Sequence, residues 1–309
     1  MISAPRPGLG ILMILAGSAL FAANGTVSKL VLQSGLDPLQ LTTIRATGAV
    51  LGLLILTLTV DRRRLRLTRR EIPFLIAYGL AGFFLVPVLY FVAISRLPVG
   101  IGLLFEYTAP LLVALWARFV QGHTVKPRLW LGLALSLIGL ACVAEIWGDL
   151  RLDRIGIVAG LTSAGLLAAY YLLGARGVAQ RDTLSLTGWA FAVSAIAGAV
   201  IRPWWQFDAR QLAVESRAGV PVWLLIGYVI ILGSIVPYLL IAGSLRHLPA
   251  TSVGIIGMVE PILAATVAWL ALNEHLNIAQ LGGGALILAG VALAETARTS
   301  GPADAPPPG

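Results

Sequence analysis

The second half of this chain repeats the first at an offset of 151 residues, and the repeat falls in its most apolar stretches. Residues 97–141 align with residues 248–292 without a gap, and twelve of the 45 aligned positions are identical. An apolar bias produces chance matches between leucines or alanines, but it does not readily place prolines and glycines in register. The matched prolines and glycines are Pro98 and Pro249, Pro110 and Pro261, Gly132 and Gly283, and Gly139 and Gly290. The sequence therefore predicts two copies of one structural unit.

Lipid rather than water is expected to surround most of the chain. Hydrophobic residues make up 58% of the sequence, charged residues only 12%, and the mean hydropathy is +0.89. This leaves too little polar surface to cover a soluble particle of 309 residues. Ten stretches of about 20 apolar residues, the length that an α-helix needs to cross a bilayer, lie between charged or turn-rich breaks. They are 9–32, 38–60, 72–95, 98–119, 129–147, 155–174, 184–202, 220–243, 249–272 and 278–297.

The repeat divides these ten spans into two groups of five. Residues 9–147 are predicted to form the first unit, residues 155–297 the second, and residues 298–309 a disordered cytoplasmic tail rich in Pro, Gly and Ala. Because five is odd, the second unit crosses the membrane in the opposite sense to the first. We therefore predict an all-α integral membrane protein with ten transmembrane helices, in two inverted five-helix repeats around a central cavity.

The distribution of Lys and Arg sets the expected orientation. With the N-terminus in the cytoplasm, fourteen basic residues fall on the cytoplasmic side and seven on the outside. The prediction is a multi-pass protein of the cell inner membrane with both termini cytoplasmic. Six of the basic residues lie in 62–70, directly after a span, where topology and anionic lipid explain them. The net charge of +8 therefore indicates a membrane-lipid partner and no nucleic-acid partner.

Two carboxyl groups at membrane depth mark the expected site. At ~1.5 Å per residue, Glu106 lies about 12 Å into the fourth span and Glu260 about 16 Å into the ninth. Each is within four residues of a repeated proline, Pro110 or Pro261, which removes a helix hydrogen bond. Ionisable side chains in a membrane mark function by default, and opened backbone there is tolerated only against protein or a water-filled cavity. Together these features predict a polar cavity.

For each of the two carboxyl groups, a structural role is weighed against a functional one. Arg45 enters the second span at a depth of about 10 Å, so it offers a structural ion pair that would neutralise Glu106. Glu260 has no evident basic partner, which favours a role facing the cavity or binding a proton.

Aromatic, amide and thioether side chains complete the predicted substrate-binding site, although each taken alone is also compatible with packing. The full set is Asn24, Tyr78, Phe83, Tyr90, Glu106, Tyr107, Tyr171, Tyr228, Tyr238, Met258 and Glu260. The predicted helix breaks or hinges are Pro87, Pro110, Pro237 and Pro261, the first matching the third after a one-residue slip. Such a lining suits a small amphipathic solute.

Glycines predict close helix contacts elsewhere. Gly48 and Gly52 form a small-xxx-small pattern, and the glycines of the fifth span recur in the tenth. These two spans are interpreted as packing or dimerisation elements, so the protein is expected to be a monomer or a homodimer.

Catalysis finds little support in the sequence. All three histidines fall in predicted loops, no Cys or carboxylate cluster has metal-ligand spacing, and no Ser has a membrane-depth base beside it. We therefore expect no enzyme activity, no metal and no cofactor, and the absence of a P-loop argues against direct use of ATP. The alternative from a different class is an intramembrane enzyme or a lipid-handling protein.

Several motifs match a known family. Leu-Pro precedes the fourth span of each repeat, a proline lies within that span, and Met258-Val259-Glu260-Pro261 is followed by Leu272-Asn273-Glu274 and a glycine-rich last span. These features resemble the ten-helix EamA-type branch of the drug/metabolite transporter superfamily over roughly residues 9–297. The first repeat departs from the pattern, because Gln121-Gly122-His123 stands where a Gly-Glu pair is common.

The resemblance implies an inner-membrane exporter of small metabolites, working by alternating access, with a cavity walled by helices 1, 3, 4, 6, 8 and 9. Among the branches of the family, the amino-acid exporters are the favoured match. Nucleobases, vitamins and cationic drugs are the alternative substrates.

Overall fold

The structure, a computed structural model, describes residues 5–144, 146–147, 153–264, 266 and 277–299. Over these residues it is helical and has no β-strand. Eight helices are long and apolar enough to cross a membrane, and two shorter apolar helices occupy the fifth and ninth predicted spans. They are α1 (Pro7–Gln33), α2 (Pro38–Val60), α3 (Ile72–Arg96), α4 (Val99–Phe119), α5 (Pro127–Val143), α6 (Arg154–Gln180), α7 (Thr183–Ile201), α8 (Val222–Ser244), α9 (Ala250–Ala264) and α10 (Ile278–Thr299). The predicted ten-helix fold class is confirmed.

Some sequence predictions fall partly outside these residues. The last part of the ninth span, the motif at 272–274 and nearly all of the junction between the two repeats lie outside the described residues. So does the predicted tail beyond residue 299. Residues 298 and 299, which were included in that tail, are the last residues of α10.

Prolines and aspartates begin many of the helices. Proline occupies the first turn of α1, α2 and α5, where its missing N–H has no intrahelical partner to lose. The Asp37 carboxylate accepts a hydrogen bond from the Gln40 backbone N–H, and the Gln40 side chain accepts one from the Asp37 N–H. Asp153 and Asp182 cap α6 and α7 in the same way through their carboxylates. The helix boundaries predicted from charged and turn residues therefore have a local cause.

Helices α3 and α8 each contain a π-helical segment directly before a repeated proline. The segments are Gly79–Leu85, before Pro87, and Ile231–Ile235, before Pro237. Since Pro87 has no N–H, the Phe83 carbonyl oxygen is free to accept other hydrogen bonds. It accepts one from Ser194 Oγ at 2.8 Å and one from Arg45 Nη2 at 3.3 Å. A π-helical segment of this kind occurs often at functional sites.

Helices α4 and α9 are interrupted at the positions that correspond in the repeat. The first part of α4 ends at Glu106 and the second begins at Ala109. The first part of α9 ends at Gly257, and helical structure resumes at Glu260. Glu106 thus closes the first half of one broken helix, whereas Glu260 opens the second half of the other.

The two repeats interlock through their helices. Helix α2 packs on α7 and α5 packs on α10, so these are pairs of corresponding helices. Helix α1 packs on α8 and α3 packs on α6, so the first helix of each repeat packs on the third helix of the other. The centre of the bundle is therefore built from both repeats.

Helices α5 and α10 make their contact through glycine. A Cβ atom added at Gly132 would lie 2.6 Å from the Gly290 carbonyl oxygen, and one added at Gly139 would lie 2.5 Å from the Gly283 carbonyl oxygen. The glycine faces of α5 and α10 that the sequence predicted thus pack against each other in the same chain. Neither helix borders the central cavity.

One arginine fixes the long connection between α2 and α3. Arg181, at the end of α6, pairs with Glu71 at 2.8 Å and donates to the carbonyl oxygens of Arg64 and Arg66 at the same distance. Hydrogen bonds from the backbone and side chain of Thr68 hold the pKa of Glu71 below its ordinary value. The ion pair is therefore maintained at neutral pH, and this loop is tied to the second repeat.

Candidate substrate cavity

A cavity of about 90 Å³ lies in the middle of the bundle. Its walls come from α1, α3, α4, α6, α8 and α9, the six helices that the family resemblance implies, and from α2 through Arg45. Of the eleven side chains predicted to bind substrate, seven line it. These are Asn24, Tyr90, Glu106, Tyr107, Tyr171, Tyr238 and Glu260. Among the four predicted hinges, Pro87 lines the same space.

The shortest polar contact of the cavity joins its two broken helices. The Tyr107 hydroxyl, in the interruption of α4, donates to Glu260 Oε2 of α9 at 2.6 Å. Glu260 was expected to have no evident basic partner, and the structure gives it a neutral hydrogen-bond donor instead. Because Tyr107 and Glu260 belong to different repeats, this bond connects the repeats at the cavity.

The second carboxyl group of the cavity is Glu106. Within the described part of the chain, no hydrogen bond or ion pair reaches its carboxyl oxygens, and the side chain is partly exposed to the cavity. The ion pair with Arg45 that the sequence offered is not formed. The reason is geometric, since two groups at equal depth on different helices need not face each other.

Arg45 is buried between the π-helical segments of α3 and α8. Its guanidinium donates to Ser234 Oγ at 3.0 Å, to the Phe83 carbonyl oxygen at 3.3 Å and to the Tyr238 hydroxyl at 3.4 Å. The Arg45 Cζ atom also lies 5.4 Å from the centre of the Tyr238 ring and 5.7 Å from that of Phe191. One cation therefore bridges the two repeats beside the cavity.

Two predicted site residues pack behind the cavity wall. Tyr78 is fully buried and stacks on Tyr170 with ring centres 5.5 Å apart. Phe83 is fully buried too, and its ring lies 4.6 Å from that of Tyr238 and 4.8 Å from that of Phe191. Both side chains support the aromatic wall without bordering the space.

The other two predicted residues lie elsewhere. The half-buried Tyr228 donates its hydroxyl to the Leu20 carbonyl oxygen at 3.3 Å, outside the lining. Met258 sits in the interruption of α9, where it is fully buried in an apolar cluster and does not line the cavity. Its position two residues before Glu260 does not determine which way its side chain points.

Sequence reasoning missed several lining residues, and most had a detectable signal. Ile14, Ser18, Phe21 and Gly25 recur at helical spacing on one face of α1, the same face that presents Asn24. Tyr170 is adjacent to the predicted Tyr171, and both border the cavity because it reaches two neighbouring faces of α6. Arg45 is prominent in the sequence because of its depth, but its partners are Ser234, Phe83 and Tyr238 rather than Glu106, the partner that one alternative offered.

Comparison with known proteins agrees with this architecture. The model of the EamA-like transporter family matches the chain twice, over residues 8–144 and residues 154–296. A solved crystal structure with 20% sequence identity superposes with a TM-score of 0.77 over 94% of this chain and 98% of its own, which shows the same fold.

Curated bacterial and archaeal relatives carry transporter names. An uncharacterized transporter of Archaeoglobus fulgidus is 28% identical over 280 residues, which cover 87% of this chain and 91% of the relative. The threonine/homoserine exporter RhtA of Escherichia coli strain K12 is 28% identical over 259 residues, covering 82% of each chain. The uncharacterized transporter YdfC of Bacillus subtilis strain 168 is 25% identical over 257 residues, covering 83% of this chain and 81% of the relative.

Ten apolar helices around a small cavity define a multi-pass membrane protein, and the matched family and the named relatives are transporters rather than enzymes. The chain belongs to the EamA-like transporter family, as the sequence motifs predicted. A small-molecule substrate follows from that membership.

Proposed function

We propose that this protein exports amino acids across the inner membrane by alternating access, with both termini in the cytoplasm. The observation that carries the proposal is the pair formed by Tyr107 and Glu260, which places a carboxyl group from one repeat against a hydroxyl from the other inside the cavity. A carboxylate is suited to bind the ammonium group of an amino acid. The similarity to exporters named for threonine and homoserine supports this substrate class.

The mechanism we propose uses the interrupted helices. The repeats rock about the cavity, and the chain bends at Pro87, Pro110, Pro237 and Pro261, where backbone hydrogen bonds are already missing. The present cavity of about 90 Å³ has room for only a few water molecules. Opening toward one side of the membrane would enlarge it enough to admit an amino acid.

Glu260 has the central role in this scheme. As a carboxylate it binds the substrate ammonium, and after release of the substrate it takes a proton, so that Glu260 carries no unpaired negative charge as the site returns. Amino-acid export would then be coupled to proton entry. Both functions need a carboxyl group, whereas a purely structural hydrogen bond to Tyr107 could also be accepted by the amide oxygen of glutamine.

The test is amino-acid transport in liposomes that contain only this protein. We expect Glu260→Gln to lower the initial rate at least about tenfold, as for loss of a charged hydrogen-bonding group. An imposed pH gradient should change the rate of the wild type and not that of the variant. Glu215→Gln is the matched control, since Glu215 is exposed in the connection before α8 and lies outside the cavity lining.

The outcomes separate the parts of the proposal. If the wild-type rate does not depend on the pH gradient, the protein is a facilitator and transport is not coupled to protons. Normal transport by Glu260→Gln would make Glu260 structural. A broad substrate screen in the same liposomes distinguishes amino acids from nucleobases, vitamins and cationic drugs, and lipid turnover without solute movement would favour a lipid-handling protein.

A further inference from the structure

Arg45 is a buried cation whose contacts are all neutral. Its side chain is 2% exposed, and its three hydrogen-bond acceptors are a serine hydroxyl, a tyrosine hydroxyl and a backbone carbonyl. Burying a charge is unfavourable unless it is paired with an opposite charge. The ion pairs of the described residues lie in the connections and at helix ends, and Arg45 takes part in none of them.

The guanidinium also has hydrogen-bonding capacity left over. Arg45 Nε is buried and has no hydrogen-bond partner among the described residues. The side chain borders the same cavity as Glu106 and Glu260. One cation and two carboxyl groups therefore surround a single small space without forming an ion pair with one another.

We propose that Arg45 is the residue that binds the carboxylate of the transported amino acid. This inference rests on the proposed function and specifies how the substrate is recognised. The planar guanidinium suits a carboxylate, and the rings of Tyr238, Phe191 and Phe91, at 5.4, 5.7 and 6.0 Å from Arg45 Cζ, fix its orientation. The substrate ammonium then faces Glu106 and Glu260, so each charged group of the substrate lies beside a cavity group of opposite charge.

This arrangement makes the carboxylate a requirement for binding. A solute with an ammonium group but a neutral amide in place of its carboxylate would leave Arg45 unpaired in the cavity. The substrate class is thereby narrowed to small zwitterions, since a cationic amine satisfies only half of the site.

The experiment compares threonine with threonine amide as competitors of labelled threonine efflux from liposomes. For the wild type we expect the amide to compete at least about tenfold less well than threonine. In Arg45→Gln, the threonine concentration for half-inhibition should rise about tenfold or more, and threonine and its amide should become equivalent. Arg45→Lys, which keeps the charge but loses the planar fork, should retain a weaker preference for threonine.

The matched control is Lys29→Gln. Lys29 is a half-buried cation of α1 that lies outside the cavity lining. Its ammonium group donates to the Leu97 carbonyl oxygen at 3.0 Å. This variant should keep the wild-type preference for the carboxylate.

The results distinguish this inference from the function on which it rests. If the wild type moves no amino acid, the proposed function fails and the carboxylate role fails with it. If the wild type transports threonine but threonine amide competes with labelled threonine as well as threonine itself does, only the role of Arg45 is overturned. The role of Arg45 is also overturned if Arg45→Gln keeps the full wild-type preference for threonine over its amide. If that variant does not fold, the same criterion applies to Arg45→Lys.

Discussion

Replacing Tyr107 by phenylalanine removes one oxygen atom from the cavity and leaves the aromatic ring in place. That oxygen donates to Glu260 Oε2 at 2.6 Å, a length typical of a hydroxyl bonded to a carboxylate. A hydrogen bond to a charged group contributes about 1.5–3 kcal/mol, and about 2 kcal/mol corresponds to a factor of about 30. The cavity volume of about 90 Å³ lets a water molecule replace part of this interaction. We therefore expect Tyr107→Phe to slow amino-acid transport about tenfold.

The assay is the initial rate of efflux from liposomes at an amino-acid concentration well below saturation, where both binding and conformational change contribute. Tyr228→Phe is the matched control, because it removes the same group from a tyrosine that donates to a backbone carbonyl outside the lining. Its rate should stay within about twofold of the wild type, as expected for a partly exposed hydrogen bond. Equal rates for Tyr107→Phe and wild type, or equal losses in both variants, would refute the reasoning.

Three further predictions follow from the fold. Replacing Pro110 and Pro261 together with alanine should slow transport more than it weakens substrate binding, because the restored N–H groups stiffen the interrupted helices. Gly139→Ala should lower the free energy of unfolding in detergent by about 1–3 kcal/mol, measured as a lower melting temperature, because its Cβ would lie 2.5 Å from the Gly283 carbonyl oxygen. Cysteines introduced at Arg66 and Gln211 should be labelled only from the cytoplasm and only from outside, respectively.

Each of these has a control or a contrary outcome. Gly282→Ala, on an exposed face of α10 where an added Cβ meets nothing within 4 Å, should be neutral or slightly stabilising, so an equal loss in both glycine variants would contradict the packing argument. Unchanged transport by the double proline variant would remove the prolines from the mechanism. Labelling in the reverse pattern would invert the proposed orientation.

The sequence predicted the helices well because each boundary depends on local chemistry. Apolar length, a first-turn proline or a capping aspartate is enough to locate a span, and the repeated Pro110 and Pro261 directed attention to the interruptions of α4 and α9. Glu106 and Glu260 stood out since a carboxyl group at membrane depth is rare. The roles of these side chains in binding, and of the prolines as hinges, stay predictions.

The partners of the polar groups were harder to predict, because depth along a helix does not give the direction in which a side chain points. Arg45 and Glu106 lie at similar depths, yet Arg45 turns toward Ser234, which is 189 residues away in sequence. Tyr107 reaches Glu260 across 153 residues. Phe83 lies in the π-helical segment of α3 and does not line the cavity, and such a segment depends on backbone hydrogen bonding that residue types alone do not reveal.

The glycine contacts between α5 and α10 follow a particular rule. Gly283 is the counterpart of Gly132 and Gly290 is the counterpart of Gly139, and each glycine touches the counterpart of the other. This reciprocity is the mark of an isologous contact, the kind that joins two identical subunits about a two-fold axis. Here both partners of the contact are in one polypeptide.

Covalent linkage frees the rest of the chain from that symmetry. Two identical subunits would carry every cavity side chain twice, and an asymmetric solute would then have two equivalent poses. In this chain Glu106 corresponds to Gly257, and Glu260 corresponds to Ala109, so the carboxyl groups are not related by the axis. A reciprocal helix contact and an asymmetric cavity therefore coexist in one chain, and we expect a solute bound in the cavity to meet different groups at its two ends and to have a single preferred pose.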